Sequence, residues 1–182
     1  MKTLTPCLSA LAVVLLGTLV GCSTATTKTA DVTDSIRASL DQAGFKDVSA
    51  KQDRDKGVVT LGGHVAADAD KAQAETIAKA IAGAQVVSNQ IAVIPPGIES
   101  DAKSVNTDLD KGIESNLDAA LIKNNLHDNV KYAVKNHVVT LTGDVDSEAK
   151  RTQAERVAAG VLNVQQVVNE MQVKGQKATS TK

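Results

Sequence analysis

The chain repeats itself, and this limits it to folds that one small unit can build twice. Val58-Val59-Thr60-Leu61-Gly62-Gly63-His64-Val65 recurs as Val138-Val139-Thr140-Leu141-Thr142-Gly143-Asp144-Val145. The match runs on without a gap through Gln73-Ala74-Glu75 against Gln153-Ala154-Glu155, and through Asn89 and Val93 against Asn169 and Val173. Roughly fifteen of about thirty-seven aligned positions are identical, too many for chance at one fixed offset. Between the copies, Pro95-Pro96-Gly97 opens a polar stretch, and two successive prolines do not sit inside a regular element.

Each copy predicts the same order of elements. Val32, Ile36, Leu40 and Ala43 in the first copy, and Leu109, Ile113, Leu117 and Ala120 in the second, recur at three and four residues, as one face of a helix does. Asp31 and Thr107 are the expected caps of those helices. Val48-Ser49-Ala50 and Val130 to Val134 alternate as strands, and each pairs through a turn with its Val-Val-Thr-Leu strand as a hairpin. A second helix buries Ala74, Ile77, Ala78 and Ile81, or Ala154, Val157, Ala158 and Val161. A last strand alternates through Val87, Asn89, Ile91 and Val93, or Val167, Asn169, Met171 and Val173.

The predicted fold class is therefore α+β: two small α-β-β-α-β domains, each a three-stranded mixed sheet covered on one face by two helices. Aromatic residues make up 1% of the chain, with no Trp, so these cores must be built from Val, Ile, Leu and Ala. Gly63 and Gly143 fall where the chain leaves the central strand for the second helix, a place that calls for positive φ.

The first residues read as an export signal. Met1-Lys2-Thr3 gives a short basic start, Leu8 to Val20 is apolar but short for a bilayer span, and Leu19-Val20-Gly21-Cys22 looks like a lipobox. The expected organisation is a lipoprotein signal peptide (1–21), a flexible tether (22–30), a first domain (31–94), a linker (95–106), a second domain (107–174) and a disordered tail (175–182). Cys22 is the expected lipidation site, and Cys7 leaves with the signal, so no disulfide is expected. The expected location is the outer membrane, facing the periplasm.

The pattern Gly-Val-Val-Thr-Leu-x-Gly-x-Val, a charged helix with Gln-Ala-Glu, and Val-x-Asn-x-Ile-x-Val resembles the BON domain, present as two copies from about Asp31 to Ile94 and from Thr107 to Lys174. The resemblance implies a non-enzymatic envelope protein. It also implies roles in envelope integrity, phospholipid contact or the chaperoning of unfolded outer-membrane clients. Within the chain, Tyr132 is the second copy's one aromatic residue and lies in a predicted strand, so an aromatic wedge for lipid is missing.

Catalytic and metal chemistry find no frame in the sequence. His64, His127 and His137 have no metal-pair spacing and read as surface histidines. Asp144, Asp146 and Glu148 read as acids favouring a helix start, with Asp146 as a cap. No nucleotide loop or nucleophile elbow appears, so no catalytic residue, metal or cofactor is expected. The formal charge of −1 argues against nucleic acid. Lys150, Arg151 and Arg156 read as the exposed side of the second copy's second helix; interleaved with Glu148 and Glu155 they have the look of an ordinary solvated face, and they are also the candidate contact for anionic phospholipid or an envelope protein partner.

Overall fold

The structure, a computed structural model, describes residues 28–173 and the backbone of Thr179–Thr181. The signal peptide and Cys22 lie outside the described residues. The first domain runs α1 (Thr33–Gln42), β1 (Val48–Asp53), β2 (Val58–Val65), α2 (Asp68–Ala82), β3 (Val86–Asn89) and β4 (Ala92–Val93). The second runs α3 (Glu99–Lys123), β5 (Lys131–Lys135), β6 (Val138–Thr142), α4 (Glu148–Ala159) and β7 (Gln166–Asn169), followed by β8 (Thr179–Thr181).

Both sheets are mixed. β1 pairs antiparallel with β2, Ala50 opposite Leu61, and β2 pairs parallel with β3, Val59 opposite Val87. β5, β6 and β7 repeat this pattern, with Tyr132 opposite Leu141 and Val139 opposite Val167. β4 continues the line of β3 along β2, and the single bridge between Asp144 and Gln172 is its counterpart. The antiparallel hairpins are closed locally, while the parallel pairs require the crossover that α2 and α4 provide.

Alternation decides the faces of each sheet. Val59, Leu61 and Val87 point toward the helices, where they meet Ile36 and Leu40 of α1 and Ala74 and Ala78 of α2. Val139, Leu141 and Val167 meet Ile113, Leu117 and Leu121 of α3 and Ala154 and Ala158 of α4. Alanine at the contact lets the crossover helix lie close to the sheet, which suits a core lacking large aromatic residues. The opposite faces carry Val58 and Val86 in one domain and Val138 and Val168 in the other, and these form a third cluster. The two domains thus dock through part of the sheet faces that their own helices leave bare, at β2 and β3 against β6 and β7, while Ser49 and Lys51 of β1 and Lys131 and Ala133 of β5 stay exposed.

Four expectations change. Glu99–Asn106, read as linker, is the first part of α3, and Thr107 lies inside that helix, its hydroxyl donating to the Lys103 carbonyl at 2.9 Å rather than capping. Helix starts here because the Glu99 carboxylate accepts from Gly97 N at 2.8 Å, and Glu99 and Asp101 place negative charge in the first turn. Within the stretch read as a disordered tail, Thr179–Thr181 pairs antiparallel with β7. Residues 28–30, read as tether, are tied to the first hairpin: Thr29 N donates to Arg54 O at 3.0 Å and Gln52 Nε2 to Ala30 O at 2.7 Å. Asp31 accepts from Thr33 N at 3.1 Å at the start of α1.

Candidate functional site

α4 was the expected binding element, and its geometry divides the three cations. Arg151, Ala154 and Ala158 recur at three and four residues, so Arg151 falls on the inner stripe and is only 2% exposed. Its Nη1 lies 3.6 Å from Glu148 Oε2 and its Nη2 donates to Asn169 O at 3.4 Å. Arg151 therefore ties α4 to β7 and is not a surface contact, which corrects the sequence reading. Lys150 is partly exposed and paired with Asp146 one turn earlier. Arg156 is exposed. The cap of α4 is Ser147, whose hydroxyl accepts from Lys150 N at 3.3 Å, not Asp146, which is engaged by the Lys150 ammonium.

The repeated Glu and Asn of the two copies form a clasp between crossover helix and last strand. Asn89 Nδ2 donates to Lys71 O at 3.2 Å and to Glu75 Oε2 at 2.9 Å, while Ile91 N donates to Asn89 Oδ1 at 3.4 Å. Asn169 repeats this with Arg151 O at 3.2 Å, Glu155 Oε2 at 3.0 Å and Met171 N at 3.2 Å. A buried amide leaves few unmet donors when it is used this fully, so these motif residues hold the fold and are not reactive groups.

The two glycines are fixed by close approach. Gly63 lies within β2 at φ +96°, and a Cβ built there would be 1.9 Å from the Asp47 carbonyl oxygen. Gly143, just past β6 at φ +120°, would place one 2.4 Å from the Asn129 carbonyl oxygen.

The polar seam between the domains was not legible from either copy alone. Gln166 holds the edge of the β3 backbone that faces away from β2, accepting from Asn89 N at 3.0 Å and donating to Val87 O at 2.8 Å. Lys56 of the first hairpin donates to Glu170 at 2.6 Å, and the equivalent residue of the second hairpin, Asn136, donates to Gln90 O at 2.8 Å. Because Gln90 is the counterpart of Glu170, the contacts follow a pseudo-two-fold relation between the copies. The Lys56 ammonium is pushed up, chiefly by its hydrogen bond to Glu170.

A cleft of about 240 Å³ opens beside this seam, lined among others by Asp68, Lys71, Asn106, Asn136, His137 and Gln165. Asn136 and His137 form the tip of the second hairpin, both at positive φ, and their backbone N–H groups each donate to Asp110 of α3 at 2.8 Å. His137 Nε2 is buried with no hydrogen-bond partner among the described residues, so His137 is not the surface histidine expected. Burial pushes its imidazole below the ordinary value, and Lys71 adds to this against the opposing pull of Asp110 and Asp68. Burial likewise lowers the Lys71 ammonium. Lys71 also donates to Gln165 at 3.1 Å.

His127 pairs with Asp118 at 3.1 Å, and the same carboxylate oxygen accepts from Tyr132 Oη at 3.1 Å, so the aromatic side chain of the second copy is spent on α3. His64 is exposed. Among the described residues no group of three or more His, Cys, Asp or Glu side chains is placed to hold a metal ion, and no helix is long and apolar enough to cross a membrane.

A BON domain model matches residues 28–95 and 109–175. The chain is 31% identical over 151 residues to osmotically-inducible protein Y of Escherichia coli (strain K12), covering 79% of this chain and 71% of that protein. Two solved structures of CdsD, a structural protein of the type III secretion system of Chlamydia trachomatis, align with TM-scores of 0.33 and 0.34 at 14% and 13% identity. They cover 80% and 78% of this chain, and 98% and 91% of their own.

Proposed function

Because the chain belongs to the BON domain family, with two copies in tandem, we propose that it is a non-enzymatic binding module of the bacterial envelope. The osmotic inducibility in the name of its Escherichia coli relative supports an envelope or stress-related role. In this reading a lipid on Cys22 holds the protein at the outer membrane, facing the periplasm, and the folded domains add a weaker contact with anionic phospholipid that supports membrane integrity.

The observation that carries the reading is the docking of the two domains through their bare sheet faces, which leaves the helical sides, with the edge strands β1 and β5, outward as the surfaces a partner meets. On α4 those surfaces offer Arg156 and, in part, Lys150. A cation near an anionic membrane contributes about 1 kcal/mol, and several buried acyl methylenes contribute far more, so the anchor dominates affinity and the α4 cations bias headgroup choice.

Flotation of the chain lacking its lipid with vesicles of neutral or anionic phospholipid tests the contact. Weak binding confined to anionic vesicles, and lost in Lys150→Glu with Arg156→Glu, is expected. Binding indifferent to vesicle charge, or unchanged by the double reversal, would remove the phospholipid contact and favour a protein partner.

A further inference from the structure

The outer edge of the last strand is filled differently in the two copies, and neither filling belongs to the repeated unit. On β3 it is met by the Gln166 amide, whose Oε1 and Nε2 take Asn89 N and Val87 O. These are a donor and an acceptor two residues apart, the pair that a neighbouring strand would engage. On β7 the equivalent edge carries β8, antiparallel, with Val167 opposite Thr181, Val168 opposite Ser180 and Asn169 opposite Thr179.

The repeated unit closes its core without such a strand. The first domain closes its cluster of Ile36, Leu61, Ala78 and Val87 with three strand lines and no counterpart of β8. Thr-Ser-Thr contains no large apolar residue, and β8 pairs with β7 over three residues while lying next to β3 of the first domain. By contrast every residue of β7 is buried, and Val168 belongs to the valine cluster between the domains.

We propose that the edge of β7 is a strand-accepting site for an extended segment of another polypeptide, with residues 179–181 as its exchangeable internal occupant. Main-chain bonds supply the attraction in this mode of recognition, and alternate side chains supply the selectivity. A residue opposite Val168 falls on the sheet face of the valine cluster, because directly opposed residues share a face. The preferred occupant therefore has a β-branched apolar residue where this chain has Ser180. The site needs neither the Cys22 lipid nor the α4 cations, so it stands or falls apart from the membrane contact.

The test uses the full chain and a variant with Thr179→Pro and Ser180→Pro. Successive residues of a strand aim their N–H groups to opposite sides, so the pair removes one N–H from each side of β8, and the fixed proline φ at two of its three residues disfavours the ladder. The probes are a fluorescein-labelled peptide copying residues 177–182 and the same peptide with Ser180→Val. A tethered occupant competes at an effective concentration in the millimolar range, so the proline variant is expected to bind the valine peptide at least about tenfold tighter than the unmodified chain. The β7 amides should exchange faster in the variant and regain protection with peptide, while β6 amides stay protected and report an intact core. Equal affinity in both proteins, no binding by the variant, or binding that leaves β7 exchange unchanged would overturn the proposal.

Discussion

An alanine at Gly63 or Gly143 would have to adopt positive φ and also move a carbonyl that lies within 1.9 Å or 2.4 Å of its Cβ. Each substitution is expected to cost about 2–3 kcal/mol in urea unfolding, since both backbone strain and a rigid neighbour contribute. The cationic pair on α4 separates in the same measurement. Arg151→Ala should lose about 2–3 kcal/mol, because it empties a buried site and strips a hydrogen bond from Asn169 O. Lys150→Ala should change stability by under about 0.5 kcal/mol, as a surface ion pair does. His137 adds a pH dependence. Its folded pKa is depressed, so the unfolded chain takes up the proton first, and the stability it contributes is complete above its ordinary value of 6.5 and is lost as pH falls through the folded one. Stability measured at descending pH should show this decline, and His137→Gln should flatten it. Residue roles of this kind were partly legible. The glycines stand out because they recur at one place in the repeat, whereas the charge of Arg151 masks its position three residues before Ala154 on the buried stripe.

Elements followed the hydrophobic period wherever a core lay behind it. The order α-β-β-α-β and the mixed pairing were readable because Ile36 and Leu40, or Val139 and Leu141, repeat with the periods of helix and strand. Two elements were missed for a shared reason: neither has an apolar stripe. The start of α3 is polar and depends on the Glu99 hydrogen bond to Gly97 N, and β8 depends on a ladder with residues distant in sequence. At this scale the Asn clasp makes a definite prediction. Truncating Asn169 and Glu155 singly and together should give a coupling of about 1 kcal/mol or more in a double-mutant cycle, since the bond at 3.0 Å is shielded by α4 and β7. Additive losses would mean that the two side chains act separately.

For the whole molecule, the decisive fact is that each domain finishes its core on one side of its sheet and leaves the other side to its sibling. Neither copy's sequence announces this, because Val58 and Val138 look like any strand valine until the pairing of the copies is known. Val58 belongs to the cluster between the domains rather than to the first domain's own core. Val58→Asp should therefore undock the domains while both remain folded, giving two unfolding transitions and a larger radius of gyration in solution scattering. A single cooperative transition at unchanged size would contradict the docking. Docked this way, the molecule offers its partners helix faces and the outer residues of β1 and β5, and the proposed hold on the membrane rests on the lipid at Cys22. Intact-mass spectrometry of the protein recovered from the membrane fraction tests that claim most directly. A chain beginning at Cys22 with the added mass of its acyl groups is the expected result, and a recovered chain whose Cys22 is unmodified would contradict it.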